Sequence, residues 1–248
     1  SFDSDLGFQY GAIVNLYHYG DGSNYPNYDH SLYMEWSRYT KGTGINRLMY
    51  DSEKLIKGIR TTVDVTYLTD QMLNFYGFNG NQTVFSELAT RSFYSLERNM
   101  FRIKADLQGN FGESDLGWVG GYTFYDFAIG SVDYEKLELQ PDANGSLYDR
   151  YVQKGLISVR DAGGGSLHYL KLGLKYDTRD QRAFPTKGMW TEAVIQTAPA
   201  FMNEAPHTKF ALIQRQYFPV SSNMVLAYRL DYQTTLGNGE VPCYPQPL

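Results

Sequence analysis

The stretch from Leu167 to Trp190, LHYLKLGLKYDTRDQRAFPTKGMW, decides how the rest of the chain is read. Its first half alternates, with Leu170, Leu172, Leu174 and Tyr176 on one side and Lys171, Gly173, Lys175 and Asp177 on the other. A period of two marks a β-strand with one apolar and one polar face. The second half crowds Asp177, Arg179, Asp180 and Arg182 together and then places Phe184, Pro185 and Gly188 before the next alternating run. Pro185 has no amide hydrogen, which a turn tolerates and a central strand does not. Gly188 can take a positive φ where the chain re-enters the sheet. Arg179 stands between two carboxylates and can neutralise both at short range. The stretch therefore predicts a strand, a charge-satisfied turn and a second strand. Asp177 and Asp180 could instead serve as an acid and base pair or as metal ligands.

The same alternation recurs along the chain. Phe101, Ile103, Ala105 and Leu107 oppose Arg102, Lys104, Asp106 and Gln108. Met224, Leu226, Tyr228, Leu230 and Tyr232 oppose Val225, Ala227, Arg229, Asp231 and Gln233, and Val63, Val65 and Tyr67 oppose Thr62, Asp64 and Thr66. Turn signals divide the chain into about ten strands, near 8–19, 31–40, 45–53, 59–69, 92–109, 117–131, 167–177, 188–198, 208–218 and 223–236. A soluble sandwich also alternates. Two features favour a membrane barrel: runs of ten or more residues, where soluble strands have about five or six, and aromatic residues near strand ends. Tyr10, Tyr17, Trp36, Tyr67, Trp118, Phe127, Tyr176 and Trp190 are placed as the two girdles of such a barrel. Short connections alternate with longer ones, the longest being 132–166. The segment AGGGS at 162–166 reads as loop.

Composition narrows the function. The mean hydropathy of -0.43 accompanies no apolar run near twenty residues, which excludes a transmembrane helix but not a barrel, whose strands face lipid with every second residue. A net charge of -5 argues against a phosphate-neutralising surface, so nucleic acid is excluded as a partner. Cys243 is the only cysteine, so there is no internal disulfide and no thiolate metal cluster. His18, His30, His168 and His207 are scattered without ligand spacing, and there is no G-x-S-x-G elbow and no phosphate-cradling glycine loop. No metal or cofactor is expected. No signal peptide precedes Ser1, which fits a mature or trimmed segment or a cytosolic protein.

The six positions Asp177, Arg179, Asp180, Phe184, Pro185 and Gly188 resemble a turn in the barrel domain of the BamA/TamA-type outer-membrane assembly factors, the bacterial surface antigen superfamily. Phe75, Tyr76, Gly77 and Asn81, in FYGFNGN, resemble that family's aromatic-glycine turn, with Asn79 as an extra residue. The ending RLDYQTTLGNGEVPCYPQPL resembles the strand and proline-containing run before the family's inward-folded loop. The resemblance implies an all-β fold, an antiparallel transmembrane β-barrel. Residues 1–248 would be one domain and the N-terminal portion of a sixteen-stranded barrel, without POTRA domains or the C-terminal strands. It implies residence in the outer membrane of a Gram-negative bacterium, contact with outer-membrane lipid, and client outer-membrane proteins that are inserted or exported without bond chemistry. Two alternatives stay open. One is a closed ten-stranded barrel enzyme with acid and histidine groups on its long loops, for which His30 and His207 are placed. The other is a passive pore or anchor barrel. In either membrane reading Phe101, Ile103, Leu170, Leu172, Leu174, Leu226 and Leu230 face lipid, and Lys104, Lys171, Lys175, Arg229 and Asp231 face the lumen.

Overall fold

The structure, a computed structural model, describes residues 1–23, 25–78, 89–142, 145–182 and 184–236. Ten long strands follow one another: β2 (Gly7–His18), β3 (His30–Tyr39), β4 (Gly44–Ile56), β5 (Ile59–Asn74), β6 (Ser95–Asn110), β7 (Leu116–Gly130), β8 (Gly164–Asp177), β9 (Gly188–Ala198), β10 (His207–Ser221) and β11 (Met224–Leu236). A two-residue strand, β1 (Phe2–Asp3), precedes them. Each strand pairs antiparallel with the next in a single eleven-stranded sheet of order β1 to β11. The sheet is open: β1 covers only Gly7 and Phe8 of β2, and no described strand pairs with the outer edge of β11.

The register carries the period-two pattern from strand to strand. Leu48 lies opposite Val65, Val65 opposite Ile103, Ile103 opposite Phe124, Leu172 opposite Ile195, and Gln214 opposite Leu230. The result is one continuous outer face on which Leu172 is 72% exposed and Leu230 63%. On the reverse, inner face Asp64, Asp106, Thr123, Val119, Lys175 and Glu192 are buried. Leu170, Leu174 and Leu226 are exposed with the outer set, and Phe101 and Ile103 are half-buried on the same side. The polar residues Lys104, Lys171, Lys175, Arg229 and Asp231 share the inner face.

The aromatic bands need correction. Tyr10, Trp36 and Tyr67 lie on the outer face toward one rim, and Trp118 and Tyr176 on the outer face toward the other. Tyr17, Phe127 and Trp190 have the opposite parity and point inward. Phe127 is buried with Met100, Leu167, Tyr169 and Ala198 in an apolar cluster on the inner face. Trp190 lies opposite Asp177 and Arg215 in the sheet and carries two guanidinium groups on its ring. Closeness to a strand end says nothing about face; parity does.

The connections sort by rim. Residues 19–29, 57–58, 111–115, 178–187 and 222–223 join strands at one rim; 40–43, 75–94, 131–163 and 199–206 join them at the other, which holds the two longest. The longest contains two short helices that the strand period does not announce, α1 (Leu147–Gln153) and α2 (Val159–Ala162). Ser146 caps α1 by accepting from the Asp149 amide, while Asp149 accepts from the Ser146 amide, a reciprocal box that satisfies two orphan donors. Tyr148 and Ile157 pack with Phe75 and Leu96, which seats this connection over β6.

The segment AGGGS is not a loop: α2 ends at Ala162 and β8 begins at Gly164. Gly164 pairs with Ala128 at φ +98°, and a Cβ there would stand 2.1 Å from the Phe127 carbonyl oxygen. Only glycine lets β8 start so close to β7. Gly163, one residue earlier, has φ -86° and open space around it. Gly164→Ala should therefore destabilise by more than about 1 kcal/mol, while Gly163→Ala should be neutral or slightly stabilising. Urea unfolding followed by tryptophan fluorescence checks the contrast, and equal effects would contradict this backbone assignment.

Candidate functional site on the charged inner face and its rim

The inner face sets its ionisable residues in cross-strand groups. Asp64 on β5 accepts from Arg47 Nε (2.9 Å) and Nη2 (2.6 Å) on β4, from Arg102 Nη2 (2.7 Å) on β6, and from the Thr66 hydroxyl (2.6 Å). Asp51 on β4 accepts two bonds from Arg60, each 2.7 Å, and one each from the hydroxyls of Tyr28 (2.6 Å) and Thr62 (2.8 Å). Asp106 on β6 meets Lys104 at 3.1 Å and Lys171 at 2.6 Å. Lys171 belongs to β8, so this last contact crosses β7. It can do so because Gly121 lies between: a Cβ there would be 2.2 Å from Asp106 Oδ1 and 3.1 Å from Lys171 Cε. Asp51 and Asp64 have both oxygens occupied, whereas both lysines meet Asp106 at Oδ2 and its Oδ1 is buried without a partner among the described residues. A buried carboxylate is tolerable only when its charge is paired, and removing one partner of such a pair typically costs about 3 to 5 kcal/mol.

The turn joining β8 to β9 closes one end of this face. The Thr178 amide donates to the Met189 carbonyl (2.9 Å) and the Met189 amide to the Thr178 hydroxyl (3.0 Å). Gly188 enters β9 at φ +95°, where a Cβ would be 2.2 Å from the Thr178 carbonyl oxygen. Arg179 forks onto Asp177 with two bonds of 2.8 Å and lies 5.9 Å over the Trp190 ring, whose centre is also 4.7 Å from Arg215. The bond to Asp177 raises the Arg179 guanidinium above its ordinary pKa.

Arg179 does not neutralise both carboxylates. Its fork is filled by Asp177, and Asp180 turns the other way to accept from the Thr186 hydroxyl, the Thr186 amide (2.9 Å) and the Lys187 amide (3.3 Å). Asp180 thus ties down the segment that returns through Pro185, while Phe184 is exposed. Arg182 pairs with Glu53 of β4, four strands away, so the turn reaches across the inner face and the sheet curls. Nothing in the spacing of the turn pointed to Glu53, because the contact exists only once the sheet curls.

The second motif lies at the opposite rim. Phe75 is buried just after β5 and meets Tyr148, Tyr151 and Phe78 edge to face, Tyr76 packs on Tyr94 at 5.2 Å, and Gly77 has φ +94°. Asn81, Asn79 and Cys243 lie outside the described residues. His30 bonds Tyr50 and Ser52 at the rim of the short connections, and His207 bonds Tyr169 at the other rim. The two histidines of the enzyme alternative therefore do not converge. Among the described residues no group of three or more His, Cys, Asp or Glu is arranged to hold a metal.

Three donors hold the Asp180 carboxyl at a pKa of about 2, below its ordinary 3.8, the Thr186 hydroxyl contributing most. A depressed carboxylate stabilises the fold above its unfolded value, and that contribution is lost as pH falls through about 2. A carboxyl-carbon NMR titration should find the midpoint near 2, and Thr186→Val should move it toward 3.8. A midpoint at 3.8 in the unaltered protein would mean that Asp180 does not hold the turn.

Comparison with known proteins fits this geometry. None of the curated proteins matches the chain. Among solved structures, the crystal structure of BamA from Haemophilus ducreyi lacking POTRA domains 1-3 superposes with a TM-score of 0.50 at 16% sequence identity. The match covers 98% of this chain and 42% of that one, so the chain spans well under half the length of the BamA chain, and the likeness establishes the fold alone. The Omp85 superfamily domain matches residues 57–246, a range that runs from the β4–β5 connection through the DTRD turn and past β11. With most of its length matched by that domain, the chain belongs to the Omp85 superfamily.

Proposed function

We propose that this chain is part of the wall of an outer-membrane barrel that inserts or exports other outer-membrane proteins. The Omp85 match over residues 57–246 carries the reading. The continuous apolar outer face supports it, since a lipid-exposed sheet must present apolar side chains outward and keep its charges within. On this reading the rim with the short connections is periplasmic, and the rim bearing 75–94 and 131–163 faces outward. Asp177, Arg179, Asp180, Phe184, Pro185 and Gly188 shape a turn and perform no chemistry, and Phe75, Tyr76 and Gly77 anchor an outer loop. The edge of β2 beyond Gln9 has backbone groups unpaired among the described residues, with which a client strand can pair, the step on which insertion would depend.

Two experiments test the proposal. Leu172 is 72% exposed, so in water Leu172→Arg should change stability by no more than about 0.5 kcal/mol. At a bilayer midplane it should cost about 2 to 4 kcal/mol. Urea unfolding from lipid vesicles separates the two, and we expect the larger cost. For function, the intact protein in liposomes should accelerate folding of a denatured outer-membrane barrel, read as its heat-modifiable gel mobility. A rate equal to that in protein-free liposomes would refute an inserting role.

A further inference from the structure

At the rim of the short connections the inner face forms an open cleft of about 430 Å³, lined by Lys175, Arg60, Arg182, Gln108, Asn110 and Glu53 among others. Lys175 is only 8% exposed and makes no hydrogen bond or ion pair with any described residue. The sheet register places Glu192 directly opposite it on β9. The Lys175 stem nevertheless turns the other way, over β7, where a Cβ on Gly117 would stand 2.5 Å from its Cε. Asp177, the other nearby carboxylate, is occupied by the Arg179 fork. An ammonium with three donors and no acceptor among the described residues, carried on a side chain this enclosed and opening only into the cleft, is placed to receive an anion there.

The flanking groups define which anion. Arg60 spends Nε and Nη2 on Asp51, and Arg182 spends Nη1 on Glu53, so both guanidinium groups keep donors in reserve. Three cations set against Asp51 and Glu53 leave one net positive charge, and the amides of Gln108 and Asn110 add neutral donors. We infer that this cleft binds a singly charged oxyanion, such as a phosphate monoanion or phosphodiester, with Lys175 as its direct partner and Arg60 and Arg182 beside it. The same chemistry is presented by free phosphate and by the headgroup of an anionic phospholipid.

The test is calorimetric titration of the intact protein in a nonionic detergent at constant ionic strength, with inorganic phosphate and separately with short-chain phosphatidylglycerol. Binding is measured without reference to insertion, so the result is independent of the proposed assembly role. Saturable one-to-one binding of either probe is expected, weakened tenfold or more by Lys175→Gln and retained by Lys175→Arg. Binding of phosphate alone assigns the site to a soluble anion, and binding of the lipid alone assigns it to a headgroup. If Lys175→Gln does not fold, Arg182→Gln should still weaken binding severalfold. The inference is overturned by the absence of saturable binding of both probes, or by binding that neither substitution changes.

Discussion

A slip of one residue between any two of the long strands would exchange the faces of the sheet, and this constraint governs everything else in the molecule. Shifted by one, β5 would turn Asp64 onto the side of Leu48 and Ile103 and bring Val65 among Arg47 and Arg102. Hydrophobicity alone penalises that slip, and the ion clusters sharpen the penalty by demanding particular partners. Asp64 binds β4, β5 and β6 into one register; Asp51 adds the 19–29 connection through Tyr28; Asp106 reaches from β6 to β8. The last link skips a strand, which is why β7 carries Gly117 and Gly121 on its inner face. Larger residues would block the two lysine stems that lie across it.

The turn after β8 extends the same logic around the curve of the sheet. A hairpin needs only a local hydrogen-bond pattern, and Thr178, Asp180, Thr186 and Gly188 supply it. The two arginines do something different. Arg179 stacks on Trp190 together with Arg215 of β10, and Arg182 meets Glu53 of β4. One short segment thereby contacts strands on both sides of itself, which fixes curvature rather than pairing. Two carboxylates near one another are tolerated because each has its own donors, a cation for Asp177 and amides with a hydroxyl for Asp180.

The strands were legible because their alternation runs long enough to be unambiguous: nine of the ten long strands fall within three residues of the turn-bounded runs, and β5 continues five residues past its run, to Asn74. What failed were inferences that used position without parity. Tyr17, Phe127 and Trp190 sit near strand ends as girdle residues do, yet counting by twos from Leu16, Phe124 or Thr191 assigns them to the inner face. The helices α1 and α2 are too short to develop a 3.6-residue period, although Ser146 and Asp149 form a capping signal that can be read directly. The components of the candidate site were visible and its assembly was not. Lys175 is legible as inward-facing, but that its stem leaves Glu192 for the side of Arg60 depends on Gly117, a residue of another strand.

The chain's net charge shows how a global quantity can mislead about a local one. A total of -5 argues correctly against a broad phosphate-neutralising exterior. Many of the acids behind it are rim residues: Asp3, Asp21, Glu113, Asp115, Asp133, Glu135, Glu138 and Glu204 are all exposed outside or at the ends of the long strands. The inner face of β6 to β10 has the opposite balance, with Arg98, Arg102, Lys104, Lys171, Lys175, Lys209 and Arg215 set against Asp106, Asp177 and Glu192. Charges on a rim are screened within a Debye length of about 8 Å, whereas those on a curved, half-buried wall act on whatever enters the concavity. An anionic segment or solute approaching this wall therefore meets an attractive surface in a molecule whose total charge would repel it.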